Sequence, residues 1–225
     1  MLRTLRDNAL SLFFLALFVL ALFGQSIAGF LRTNEELSQH AMPQQGYLEF
    51  VFSSDFVVDV AENWQSEFLQ FLLFIVATVW LVQRGSPESK QPGDEGASSD
   101  KDQKVGPYAP EDAPAGAKVT GWRRVVYENS LAIVMGAIFF VSWLMQSLSG
   151  VVVMNQENAE HGEAPLTWLQ YVASPEFWDR TLQNWQSEFL AVGTMVTFSI
   201  FLRQRSSAES KPVGAPHVVS SESSE

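Results

Sequence analysis

The chain contains one unit twice. Residues 8–90 align with residues 129–211 at a constant offset of 121, without a gap, and 28 of the 83 positions are identical. The longest shared run, Asn63-Trp64-Gln65-Ser66-Glu67-Phe68-Leu69, returns as Asn184-Trp185-Gln186-Ser187-Glu188-Phe189-Leu190. A period this long marks a duplicated structural unit rather than a solenoid of short repeats. Any fold for this chain must therefore build the same elements twice. Features the unit requires should recur, and incidental ones should diverge.

Strongly apolar stretches alternate with acidic ones. Between Asp7 and Arg32 lie 24 uncharged residues, and between Glu128 and Glu157 lie 28. At about 1.5 Å of rise per residue, either stretch can cross a hydrocarbon core of about 30 Å. The second apolar segment of each copy is shorter, with 16 uncharged residues over 68–83 and 14 over 189–202. Starting these helices at Asn63 and Asn184 restores a spanning length and draws Glu67 and Glu188 into the membrane edge. The expected fold is an all-α membrane protein of four transmembrane helices. They form two tandem helical hairpins, a parallel internal repeat with a pseudo-two-fold axis along the membrane normal. A cleavable signal peptide competes for the first helix, since Arg3 and Arg6 precede it and Ser26-Ile27-Ala28 resembles a cleavage site. Against cleavage, Gln25-Ser26, Gly29 and Asn34 return as Gln146-Ser147, Gly150 and Asn155, deep inside the chain.

Of the 14 Lys and Arg residues, only Arg32 and Arg180 fall in the loops opposite the termini. Both termini are therefore expected in the cytoplasm. The expected organisation is a first hairpin over 1–90, a disordered acidic linker over 91–121, a second hairpin over 122–211 and a disordered tail over 212–225. The linker and tail are rich in small, polar and acidic residues, with too little apolar surface to offset ordering entropy. No cysteine is present, which excludes disulfides and thiolate chemistry. The outer loops carry short interfacial helices around Tyr47, Leu48 and Phe50 and around Trp168, Leu169 and Tyr171. Ser174-Pro175-Glu176-Phe177 is a helix-start signal, with Ser53-Ser54-Asp55-Phe56 as its weaker counterpart. The acidity of these loops can concentrate cations, although depletion of basic residues by topology gives the same pattern.

Two sets of recurring polar residues are candidate sites. Asn63, Glu67 and Gln70 share a helix face at i, i+4 and i+7, and the second copy keeps Asn184 and Glu188 but has Ala191. Gln25 and Glu67 each lie 17 residues from the cytoplasmic-side markers Asn8 and Arg84. Both should thus sit about 25 Å deep, so Gln25 is expected to meet Glu67, and Gln146 to meet Glu188. These pairs are read as packing locks. The competing reading makes Glu67 and Glu188 a proton or cation site, because ionisable residues at membrane depth usually face a bundle interior. The second set is Asn34, Glu36 and His40, returning as Asn155, Glu157 and His161. Glu and His four apart can share a face, but two ligands make an incomplete metal site. A surface helix exit accounts for them equally well, and no metal or cofactor is expected.

The repeated motifs resemble a family of bacterial integral membrane proteins defined by a domain of unknown function. Its pattern opens on E-N-[SA]-L, here Glu128-Asn129-Ser130-Leu131, with Asp7-Asn8-Ala9-Leu10 as a departure in the first copy. It continues through Gln25-Ser26-Ile27-Ala28-Gly29, N-x-E-x-x-x-H and both N-W-Q-S-E-F-L blocks. It closes on Gln83-Arg84-Gly85-Ser86-Pro87-Glu88-Ser89-Lys90, with Ser206 standing where the second copy should have glycine. The resemblance covers both repeats and implies a bacterial plasma-membrane protein. It implies no reaction, substrate or ligand.

No nucleophile, base and orienting group recur together in both copies, so the chain is not expected to be an enzyme. The expected role is a non-enzymatic accessory, scaffold or interaction module. Its partners are the lipid bilayer and a second copy or another membrane protein, with no nucleic acid. The alternative is a protein that passes protons or small cations. The deep polar residues such a path needs are few: Ser142, Thr78, Thr194, Thr197 and Ser199.

Overall fold

The computed structural model describes residues 2–220; residues 221–225, the end of the expected tail, lie outside it. Among the described residues all regular structure is helical. In chain order the helices are α1 (Leu2–Asp7), α2 (Ala9–Gln39), α3 (Tyr47–Val51), α4 (Ser54–Trp80), α5 (Ala115–Lys118), α6 (Trp122–Glu128), α7 (Ser130–Glu160), α8 (Trp168–Val172) and α9 (Pro175–Phe201). A 3-10 turn covers Gly106–Tyr108. The boundaries of α7, α8 and α9 fall 121 residues after those of α2, α3 and α4 at both ends of each helix. By length and composition, α2 and α7, each of 31 residues, can cross a membrane.

The chain divides into two compact units. One takes the chain up to residue 60 together with 145–171; the other takes 61–144 together with residue 172 onward. In the first unit, Phe50, Phe56, Val58 and Tyr171 are buried apolar residues. In the second, Ala61, Leu69, Phe139, Phe177 and Ile200 are. The second unit also holds an aromatic cluster. Trp143 stacks on Phe139 at 5.6 Å and on Phe177 at 6.1 Å, and meets Trp178 and Trp185 at 5.9 Å each. Leu72 packs against Gly136, where α7 has no side chain in the way.

Local sequence chemistry sets the helix ends. Ser174 caps α9 by accepting a hydrogen bond from the Phe177 amide, with Pro175 in the first turn; Ser53 accepts from Phe56 in the same place before α4. At the far ends of α2 and α7 the chain closes in matching Schellman turns. Met42 N bonds Leu37 O at 2.8 Å and Ala41 N bonds Ser38 O at 3.1 Å; Glu163 N bonds Asn158 O at 2.7 Å and Gly162 N bonds Ala159 O at 3.2 Å. Both turns put their pivot in the left-handed region, Ala41 at φ 55° and Gly162 at φ 72°.

Residues 91–121, expected as a flexible linker, contain the 3-10 turn and α5, with Val105 and Ala117 buried. Gly96 N bonds Val79 O at 2.8 Å, and Lys90 Nζ donates to Gly96 O at 2.8 Å. Arg124 pairs with both Asp100 and Glu128.

Candidate functional site

The recurring polar residues gather in three places. The first is the C-terminal end of α2 and of α7, within the first unit. Asn34 Nδ2 donates to Gln45 O at 3.1 Å while its Oδ1 accepts from Gln45 N at 2.9 Å. Asn155 does the same to Leu166, at 2.9 and 2.7 Å. An amide side chain can donate and accept at once, so it satisfies both polar groups of one backbone residue. Ser26 exchanges a 2.7 Å hydrogen bond with the Tyr47 hydroxyl, and in the same register Trp168 Nε1 donates to Ser147 at 3.0 Å. Gly29 admits the Phe50 ring, and Gly150 admits Tyr171; a Cβ would lie 2.7 Å and 2.2 Å from the nearest ring or hydroxyl atom. Each loop entering α3 or α8 is thus held by an asparagine, a serine and a glycine on the preceding long helix. A capping interaction starts each short helix: Glu49 Oε2 accepts from Gly46 N at 3.2 Å, and Gln170 Oε1 from Thr167 N at 2.8 Å.

Glu36 lies in the last turn of α2 and His40 in the Schellman turn that follows, and Glu157 and His161 repeat the arrangement at the end of α7. The Glu36 carboxylate is 3.9 Å from Arg32 Nε, and His161 Nδ1 faces the Glu157 backbone carbonyl at 2.8 Å. Among the described residues no group of three or more His, Asp or Glu comes together in a way that could hold a metal.

The second place is the shared run on α4 and α9, in the second unit. Sequence reasoning selected Asn63 and Glu67, which are exposed. The buried residues of that run are Gln65, Ser66 and Leu69, on a different face. Gln65 is fully enclosed, and its Oε1 accepts from Trp185 Nε1 at 2.8 Å. Its Nε2 and the Trp143 Nε1 are buried donors without an acceptor among the described residues. The Glu188 carboxylate lies within hydrogen-bonding reach of Ser66 and in the field of Glu67. Asn184 turns back to Arg180 O at 2.9 Å, and Arg180 Nε meets Glu62 Oε1 at 2.6 Å. The missed signal was that Trp64-Gln65 and Trp185-Gln186 also recur, placing an indole donor beside an amide acceptor. Gln25 and Gln146 belong to the first unit, and Glu67 and Glu188 to the second. Gln25 is exposed, whereas Gln146 is fully buried.

The third place is the closing motif of each copy, also in the second unit. Ser89 Oγ accepts from Gln83 N at 2.7 Å and Ser86 Oγ from Glu88 N at 3.2 Å. Ser210 accepts from Gln204 N at 2.9 Å and Ser207 from Glu209 N at 3.2 Å. The motif therefore folds into the same turn twice. Its pivots are Gly85, at φ 86°, and Ser206, at φ 66°. Glu88 is half-buried, and burial first, then the nearby Glu209 carboxyl, hold it above the ordinary glutamate range.

Taken together, the chain is an all-helical protein with two helices long and apolar enough to span a membrane, and with its recurring polar residues placed on the four long helices and in the turns that close each copy. It belongs to the family defined by a domain of unknown function, DUF6766, whose family model matches residues 1–222. No curated protein and no solved structure matches it significantly.

Proposed function

We propose that the chain is a bacterial inner-membrane protein of four spans, α2, α4, α7 and α9, with both termini cytoplasmic. Its two tandem hairpins pack about a pseudo-two-fold axis. It acts as a non-enzymatic scaffold or interaction module within the membrane. The observation that carries this reading is that four of the recurring polar residues are spent on the protein's own backbone in the same register twice: Asn34 with Gln45 and Asn155 with Leu166, Ser89 with Gln83 and Ser210 with Gln204. Groups committed in this way fix a shape and leave little for chemistry. Support for the axis comes from two pairs of equivalent residues, Glu67 with Glu188 and Glu88 with Glu209, in which one carboxyl lies in the field of the other, as residues near a two-fold axis do. Because the chain lacks cysteine, single cysteines placed near residue 215 and near residue 163 report topology directly by labelling from either side of sealed vesicles.

A second reading, passage of protons or small cations, is favoured by one observation. The Ser66–Glu188–Glu67 group occupies the same unit as the unsatisfied Gln65 and Trp143 donors, and buried donors of that kind are commonly met by water. Reconstitution in liposomes separates the readings. The scaffold reading expects no proton or alkali-cation leak from the wild type. A leak abolished by Glu67→Gln/Glu188→Gln would replace it with permeation.

A further inference from the structure

After each closing turn the chain first folds the same way twice and then parts. Lys90 Nζ donates to Gly96 O at 2.8 Å, and Lys211 Nζ donates to His217 O at 3.2 Å, in the same register. Asp94 N bonds Gln91 O at 3.1 Å, and Ala215 N bonds Pro212 O at 2.9 Å. Gly96 N meets Val79 O at 2.8 Å, and the His217 ring meets the equivalent Ile200 O at 2.9 Å. The duplicated unit therefore runs on to Gly96 and His217. Beyond them the equivalent residues Ser99 and Ser220 take different partners. Ser99 bonds Asp102 at 2.6 Å, within its own segment. Ser220 crosses to the first copy's turn, where its Oγ accepts from Gly85 N at 3.0 Å and donates to Gln83 O at 3.4 Å.

Residues 212–220 thus form a strap fastened at both turns. Lys211, 6% exposed, points its ammonium at the carbonyls of Gly85, Pro216 at 3.2 Å, His217 and Val219 at 3.0 Å. Arg203, just after α9, donates to Ala215 O at 3.1 Å. The His217 carbonyl passes so close to Gly85 that a Cβ there would lie 2.0 Å from it. Gly85 and Ser86 are buried, whereas the equivalent Ser206 is exposed. We propose that the first copy's closing turn is a docking site for the chain's own carboxyl-terminal segment, with Gly85 as the residue that admits it. The second copy's turn has the same fold but carries a side chain at the matching point, and it takes no such segment. Ser220 suits the site because one hydroxyl accepts and donates at once, and the Lys211 ammonium adds charge-assisted bonds to the same glycine. His217 is itself held just before Ser220, so the site is filled from within the chain at high effective concentration. The docking goes beyond the scaffold reading and does not depend on it.

The test uses the full chain in detergent and in lipid, where the lack of native cysteine leaves introduced labels unambiguous. Spin labels at Pro87→Cys and Val218→Cys should report a single short distance. Gly85→Ser should replace it with a longer, broad distribution, because it gives the first turn the residue with which the second copy's turn already folds. Ser220→Ala leaves the bonds within the turn in place. It should speed hydrogen exchange at the Gly85 amide about tenfold, the effect of losing one hydrogen bond. The Gln83 amide, held by Ser89, should not change. Chains labelled singly at Pro87→Cys or Val218→Cys and then mixed should show no short distance. A broad distribution in the wild-type background, a short distance that survives Gly85→Ser, or a Gly85 amide indifferent to Ser220→Ala overturns the docking site. A short distance between the mixed chains overturns its occupant and gives the seat to the tail of a second copy.

Discussion

Identical residues at equivalent positions need not do identical work. Four positions share the left-handed conformation in two equivalent pairs, and each copy has glycine at only one of its two: Gly85 with Ala41 in the first, Gly162 with Ser206 in the second. A side chain there costs about 1 kcal/mol relative to glycine. Ala41→Gly and Ser206→Gly should each raise stability by about 0.5–1 kcal/mol, after allowance for the looser unfolded chain. Ala41 belongs to the first unit and Ser206 to the second, so the double variant should show about the sum in chemical unfolding. The reverse change, Gly85→Ala, should destabilise strongly, because the His217 carbonyl already fills the space. Gln65 and Gln186 make a second contrast, one fully buried with an indole partner and the other exposed. Gln65→Ala should cost about 2 kcal/mol and Gln186→Ala under about 0.5 kcal/mol in the same assay. That difference was illegible in the repeat, which identifies what both copies keep but not which copy buries it. The helix-face argument chose Asn63 and Glu67 because carboxylates at membrane depth draw attention, and passed over the uncharged amide beside the tryptophan.

Elements were far more legible than side-chain partners. Apolar length located α2 and α7, the Ser-Pro-Glu start located α9, and the aromatic pattern located α3 and α8, since each depends on neighbours in sequence. Asn34 and Asn155 were visible as recurring residues, yet their partners were not, because a side chain that bonds a backbone eleven residues away leaves no motif at the partner position. The asparagine clasp is testable at this scale. Asn34→Ala and Asn155→Ala each remove two hydrogen bonds and should cost about 1–3 kcal/mol. Hydrogen exchange should accelerate at the Gln45 amide in the first variant and at the Leu166 amide in the second, with little change at the other. Asn→Asp should fail to rescue either, because a carboxylate cannot donate to the carbonyl. The Arg180–Glu62 pair is partly buried, with side chains 30% and 12% exposed. Arg180→Met should therefore destabilise more than the double variant Arg180→Met/Glu62→Leu, which leaves no charge unpaired; thermal unfolding of the three chains decides it.

For the whole molecule, Glu88 makes one contribution to the pH dependence of stability. Its folded value is raised, so its contribution to stability is fully present below the ordinary glutamate range and is lost as pH rises through the raised value. The difference in unfolding free energy between wild type and Glu88→Gln should accordingly shrink or reverse on going from about pH 4 to about pH 7, whatever the background from other groups. Composition could not reveal the strap or the buried Lys211, because small polar residues usually lack the apolar surface to order themselves. Here backbone carbonyls gathered around one ammonium supply what apolar contact does not. The seat at Gly85 has a consequence for how such a chain can be rearranged. The tail finds its place on the turn of the first copy, where no Cβ intervenes, while the second copy presents Ser206 at the matching point. The two halves are therefore not interchangeable along the chain. A circular permutant that reversed their order would deliver the same tail to an occupied seat, so the duplicated halves have acquired a reading direction.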